Sequence, residues 1–268
     1  MSALPPSAAA WLSAHDVRPR TVDQARSFRG LVYLIDDLAL RWYASPPEEP
    51  DAISHEVAAL TAVDGAGIPS PRLVAWTQEP PALLMTRRRG RHRLDGSGAT
   101  SVHNTLDAIH AVQPGPLRAW AYRGYHEGRA MPRPTWWRDR PTWDRALAIS
   151  VGRRPPTTDP VLIHRDFHPG NLLWSDAAIT GVLDWTDACL GPASFDLAHY
   201  RVNIATLEGS AVADLHFPGD PMWDLEAALG YLDPRRLDDW VGPWPSVPAS
   251  VARERLEKFT ARAVAALR

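Results

Sequence analysis

The chain has 268 residues, 45% of them hydrophobic and 22% charged, which is ordinary globular composition for one large domain or two modest lobes. A formal net charge of −2 argues against a nucleic-acid-binding surface, and the lone cysteine, Cys189, excludes an internal disulfide or a cysteine-based zinc centre. No apolar run reaches the ~20 residues of a membrane helix. The opening MSALPPSAAAWLSAHDV lacks the basic start of a secretion signal, so a cytoplasmic protein is expected.

In chain order, Gly30–Asp36 and Asp37–Ala44 read as two strands joined at the Asp36-Asp37 turn. On the second, Ala39, Arg41 and Tyr43 share one face. Ser54–Asp64 carries Val57, Leu60 and Val63 at helical spacing and ends before Gly65. Arg72–Thr77 and Ala82–Thr86 follow as strands separated by Glu79-Pro80-Pro81. Residues 1–86 thus read β-β-α-β-β. The segment 87–98, RRRGRHRLDGSG, reads as a connector.

From there the character is mainly helical. Helices are predicted over Val102–Val112, Thr135–Val151, Ser194–Leu207, Met222–Leu232 and Ser250–Leu267, with short strands at Val161–His164, Leu172–Trp174 and Gly181–Asp184. The expected plan is α+β: a small sheet-rich N-lobe over 1–86 and a larger helical C-lobe over 87–268, with a ligand cleft between them.

The polar chemistry concentrates in VLIHRDFHPGNLLW, residues 161–174. Three readings compete there: a metal cluster of His164, Asp166 and His168, a catalytic loop, and an ordinary polar turn. The metal cluster is disfavoured, because Pro169-Gly170 turns the chain at once and no second His-rich motif completes a site. The catalytic reading rests on spacing. His164 to Asn171 has the form H-x-D-x-x-x-x-N, and GVLDW places Asp184 thirteen residues after Asn171. This is the phosphoryl-transfer constellation, in which Asp166 reaches the acceptor hydroxyl while Asn171 and Asp184 offer oxygen ligands to Mg²⁺. Leu38-Ala39-Leu40-Arg41 stands where a kinase carries its V-A-I-K strand, Glu56 is positioned to pair with the basic residue, and Leu84-Met85-Thr86 is positioned as the segment meeting the nucleotide base.

VLIHRDFHPGNLLW, GVLDW and the later GPASFDLAHYR together resemble the aminoglycoside phosphotransferase and choline kinase-like small-molecule kinases, from about Arg20 to the C-terminus. The resemblance implies a protein kinase-like two-lobed fold, ATP or GTP as co-substrate, Mg²⁺, and a small-molecule hydroxyl acceptor. An antibiotic acceptor is the favoured reading and a metabolite the alternative. The resemblance also implies bracing roles for His164, His168 and Asp196. Only eleven residues separate Asp184 from Asp196, too few for the long activation loop of a protein kinase.

Two departures stand out. Lys258 is the sole lysine, so Arg41 occupies the place of the nucleotide-holding lysine, keeping its charge but not its geometry. No G-x-G-x-x-G loop exists; Ser27-Phe28-Arg29-Gly30 reads equally as a reduced phosphate-covering turn or as a plain strand-initiating turn. These departures keep open a non-catalytic nucleotide-binding module. Arg165 has no role on this reading. Residues 115–150 carry seven arginines against three acidic residues, interleaved with Trp120, Tyr122, Tyr125, Trp136, Trp137 and Trp143. That favours an uncharged, aromatic or anionic acceptor, with Trp136, Trp137 and Trp143 as a candidate platform, although aromatics at such spacings more often pack a core.

Overall fold

A computed structural model describes residues 3–25, 30–43, 51–115, 117, 120–124, 127, 130–152, 159–232 and 246–267. The first helix, α1 (Pro6–Ala14), begins with proline in its first turn, where a missing N–H costs nothing. It lies on a five-stranded antiparallel sheet of β1 (Val22–Ala25), β2 (Leu31–Ile35), β3 (Leu38–Trp42), β4 (Leu73–Gln78) and β5 (Pro81–Thr86), in the order β1-β2-β3-β5-β4.

Register decides what each face of this sheet does. Tyr33 pairs with Leu40 and Leu40 with Leu84, and these three side chains pack with Ile35 against Ala8 and Leu12 of α1. The neighbouring pairs Ala39–Met85 and Arg41–Leu83 therefore face the other way. That face is covered by α2 (Ala52–Val63), whose Ile53, Leu60 and Val63 share a buried cluster with Leu83 and Met85.

The C-terminal part is built around α5 (Ala193–Glu208), twelve of whose sixteen residues are buried. It packs against α6 (Ser210–His216), α7 (Pro221–Gly230) and α8 (Ala249–Ala266), while α3 (Ala99–His110) and α4 (Arg140–Gly152) flank this core. Two small antiparallel pairs sit at its edge. One joins β6 (Val161–Ile163) to β9 (Cys189–Gly191), and the other joins β7 (Leu172–Ser175) to β8 (Ala178–Val182). Among the described residues no helix is long and apolar enough to cross a membrane.

The observed elements extend the predicted set. Helix α1, strands β1 and β9 and helix α6 were not expected. β1 offers one aliphatic side chain, Val22, and so shows no alternation. The helix expected from Thr135 starts at Arg140, because Asp139 caps it through Thr142 N–H at 3.0 Å and Thr135-Trp136 form a turn ahead of it. Residue Ala44 of the second predicted strand, and Ser27–Arg29 of the candidate turn, lie outside the described residues. Gly30 is left-handed at φ 67°, and a Cβ there would approach Trp42 O to 3.0 Å.

Candidate active site

The loop and its partner aspartate meet through a hairpin. Leu172 pairs with Val182, and Leu183 N–H donates to Asn171 O at 2.8 Å. Asn171 before β7 and Asp184 after β8 are therefore neighbours in space. Asp184 adopts a left-handed backbone, φ 61°, unusual for a residue with a Cβ, as does Arg165 at φ 67°. Such conformations persist where surrounding contacts impose them. For Arg165 the contact is visible: Asp196 at the start of α5 accepts from His164 N–H at 2.9 Å and from Arg165 N–H at 2.7 Å. His110 of α3 approaches the same carboxylate at 3.1 Å.

Asp166 is held on both oxygens. Its Oδ1 lies 3.2 Å from His199 Nε2, and its Oδ2 lies 3.1 Å from Asn171 Nδ2 and 3.6 Å from His168 Nε2. His168 Nδ1 accepts from Gly170 N–H at 3.0 Å, which fixes the tautomer and leaves the proton on Nε2, facing Asp166. Burial would raise the Asp166 carboxyl, but His168 and His199 outweigh it and hold its pKa well below the usual carboxylate range. With Asn171 Nδ2 also donating to Asp166 O at 2.9 Å, the amide oxygen of Asn171 is turned away from Asp166.

Across the cleft, Arg41 on β3 is 6% exposed. Its Nη1 donates to Glu56 Oε2 at 2.8 Å and to Thr186 Oγ1 at 2.8 Å, and both Nη atoms reach Asp184 Oδ1 at 3.1 Å. Thr186 Oγ1 in turn donates to Asp184 Oδ1 at 2.7 Å. Burial alone would favour the neutral guanidine, but Glu56 and Asp184 more than offset it and reinforce the charge. Asn171 and Asp184 present an amide and a carboxylate oxygen, the hard donors that Mg²⁺ takes, so this donor set fits the ion. The cluster His164/Asp166/His168 does not fit a soft-metal centre. His164 is buried, bonds Leu183 O at 2.9 Å and packs on Trp185, and among the described residues no group of three His, Cys, Asp or Glu is arranged to hold a metal ion.

The remaining expected residues divide. Ala39 and Met85 lie on the Arg41 face of the sheet. Leu84 does not: its side chain is buried against α1, and its strand is paired on both edges, with Leu40 of β3 and Ala75 of β4 opposite it. Thr86 N–H is taken by Arg72 O at 2.9 Å, and Thr86 Oγ1 accepts from Arg72 N–H. The tryptophan platform is not formed. Trp137 and Trp143 are 1% and 2% exposed and meet edge to face at 5.0 Å, with Trp136 tilted against Trp137 and Arg253 of α8 stacked over Trp136. They pack the α4–α8 side of the core. Tyr125 lies outside the described residues.

Four residues near the loop were not anticipated from the sequence. Thr186 and His199 have just been placed. His55, next to Glu56 on α2, stacks on Trp120 at 4.6 Å and bonds Ala188 O, fastening that helix to the C-terminal part. Arg165 gains a position: Nη2 donates to Arg123 O at 2.9 Å, Nη1 lies 3.9 Å from Asp187, and the guanidinium is 5.8 Å from the Tyr122 ring. Only His199 had a signal, standing three residues after Asp196 and so on the same helix face.

A kinase-like fold with an aspartate–asparagine loop, a second aspartate and an ion-paired basic side chain in its cleft defines a phosphotransferase class. The chain belongs to the phosphotransferase enzyme family APH, whose model matches residues 10–243. Its fold is similar to that of a Ralstonia eutropha protein assigned to the aminoglycoside phosphotransferases, at 14% identity over 97% of this chain and 98% of that one, TM-score 0.62. It is likewise similar to a thermostable mutant of aminoglycoside phosphotransferase APH(4)-Ia in ternary complex with AMP-PNP and hygromycin B, at 16% identity, covering 97% and 99%, TM-score 0.62. A third, the streptomycin–ATP–APH(2")-IIa ternary complex, shares 10% identity over 88% and 89%, TM-score 0.57. No curated protein sequence matches the chain significantly.

Proposed function

We propose that the protein transfers the γ-phosphoryl group of ATP or GTP to a hydroxyl of a small molecule, with Mg²⁺ held by Asn171 and Asp184. The single observation that carries this is that the β7–β8 hairpin brings the Asp166–Asn171 loop beside Asp184, which is bonded in turn to the Arg41–Glu56 pair. Mg²⁺, when bound, supplies positive charge against the phosphate oxygens. Arg41, oriented by Glu56 and Thr186, holds phosphate through a guanidinium that stays charged. Asp166 is ionised throughout the neutral range, so it orients the acceptor hydroxyl and receives its proton late, as the oxygen–phosphorus bond forms. In the segment Leu84–Thr86, Met85 is the side chain that meets the base, beside Ala39 on the neighbouring strand.

The acceptor we favour is uncharged or anionic, such as a nucleoside-type or macrolide-type antibiotic or a metabolite. Acidic side chains around the loop are already engaged. Asp196 binds the loop backbone, Asp187 lies near Arg165, Glu226 accepts from Tyr122 OH at 3.2 Å, and Asp224 pairs with Arg201 at 2.9 Å. A polycation would have to break these pairs. The named relatives are complexed with hygromycin B and streptomycin, so an aminoglycoside acceptor is the competing reading. A non-catalytic nucleotide-binding module has the Arg41–Asp184 pair in its favour, since that pair occupies a metal-holding carboxylate. A panel of neutral, anionic and polycationic hydroxyl compounds incubated with Mg·ATP and Mg·GTP, read by ³¹P NMR, separates the three. Transfer to neutral or anionic compounds is expected. Transfer to polycations alone would overturn the acceptor class, and nucleotide binding without any transfer would overturn catalysis.

A further inference from the structure

Helix α5 grips the loop twice. At its first turn Asp196 fixes the backbone of His164 and Arg165; three residues later His199 places Nε2 3.2 Å from Asp166 Oδ1. His199 is 5% exposed, so its ring has little room to turn. Phe195 stacks beside it at 5.9 Å and Tyr231 lies at 5.6 Å on its other flank. A further turn along, Asn203 Nδ2 donates to His199 O at 2.7 Å and receives the hydroxyl of Tyr231 on its Oδ1. A buried polar chain thus fixes the helix backbone at His199, and a carboxylate facing Nε2 requires that nitrogen to be the donor.

We propose that His199 is a positioning residue for phosphoryl transfer, whose Nε2–H holds Asp166 Oδ1 so that the carboxylate keeps one orientation toward the acceptor. The inference rests on the phosphotransferase reading above and goes beyond it, because nothing in the loop motif calls for a partner from α5. Oδ2 already has Asn171 and His168, both from the loop itself, and these move with Asp166. His199 is the contact from outside the loop, carried on the most buried helix of the core. Without it the carboxylate can swing about its side-chain bonds, and small misplacements of a reacting group cost rate steeply. On the nucleotide side Arg41 is held by Glu56 and Thr186, whereas His199 holds Asp166, so the loss should fall on turnover and leave nucleotide affinity alone.

The test uses the intact protein with Mg·ATP and water as acceptor, read as ADP release, in His199→Leu and His199→Gln, with Asp166→Asn as control. Leucine keeps bulk and removes the donor; glutamine restores an N–H at a similar reach. The expected result is a kcat lower by about 10- to 100-fold in His199→Leu with the KM for ATP within about twofold, and recovery of most of kcat in His199→Gln. On an Asp166→Asn background, His199→Leu should change kcat no further. A His199→Leu enzyme with unchanged kcat, or a KM rise instead of a kcat loss, overturns the inference. Should leucine prevent folding, His199→Gln at less than a tenth of wild-type kcat in a folded protein overturns it equally. The two failures are distinguishable: if wild-type ADP release is absent or survives Asp166→Asn, the phosphotransferase reading falls. If it is lost in Asp166→Asn but indifferent to position 199, only this inference does.

Discussion

Arg41 and Asp184 share a doubled contact, both Nη atoms lying 3.1 Å from one carboxylate oxygen, Oδ1. The same Nη1 holds Glu56, so one buried guanidinium ties strand β3 to helix α2 and to Asp184, two residues past β8. A lysine ammonium carries its charge at one point and could not make this planar, forked arrangement. The site is built for arginine, down to the Thr186 hydroxyl that accepts from Nη1 and donates to Asp184.

Removing the guanidinium leaves two acidic groups facing an emptied pocket. Arg41→Ala should lower stability by about 3–5 kcal/mol, the usual cost of breaking a buried ion pair from one side, and sharply raise the nucleotide KM or lower kcat. Arg41→Lys should keep the fold and lose much of the nucleotide affinity. Thermal unfolding and nucleotide titration read both; unchanged kinetics in either variant would remove Arg41 from the phosphate site.

Thr186→Val removes one acceptor and one donor while keeping side-chain volume. Two hydrogen bonds are lost, which together contribute about 1–3 kcal/mol. We expect a stability loss in that range and a raised nucleotide KM, measured by denaturant unfolding and steady-state kinetics. A variant indistinguishable from wild type would mean Arg41 and Asp184 are set without the hydroxyl.

His164 gives a pH test. Burial lowers its imidazole below the ordinary value of 6.5, against the pull of Asp196 and Asp166, so it is neutral in the folded chain. In the unfolded chain it protonates as pH falls through that ordinary value. The unfolded state then binds the extra proton, and the stability His164 contributes, complete above it, is lost as pH drops toward the folded value. Melting temperatures measured from about pH 8 to pH 5.5 should fall less steeply in His164→Gln than in wild type. Parallel slopes would mean His164 is charged in the fold.

Trp137 separates packing from recognition. A buried tryptophan cut to alanine costs about 3–5 kcal/mol, and Trp137→Ala should show that loss with an unchanged acceptor KM in the fraction that remains folded. A folded variant of normal stability whose acceptor KM rises tenfold would restore the tryptophans to the acceptor site.

The sequence made one half of the site legible. Asp166 and Asn171 are five residues apart, and Asp184 follows a short strand, so spacing alone predicted a shared loop. Arg41 and Glu56 followed from strand and helix order. Thr186 was illegible because its partner Arg41 stands 145 positions away, and His199, 33 positions from Asp166, had only its place three residues after Asp196 as a signal. The tryptophans misled for a related reason, since aromatic spacing on a predicted helix does not reveal whether a second helix, here α8, covers it. Helix α1 escaped notice because its alanine-rich, proline-opened sequence has little apolar periodicity, and its burial depends on a sheet that forms later in the chain.

The most direct test of phosphoryl transfer by this cleft is Mg²⁺-dependent ADP release from ATP, measured in wild type and Asp166→Asn beside nucleotide binding. The expected result is turnover in wild type that needs Mg²⁺ and falls by about 10²- to 10⁴-fold in Asp166→Asn, with nucleotide affinity retained. Equal turnover in the two proteins, or tight nucleotide binding with no turnover in wild type, would contradict it.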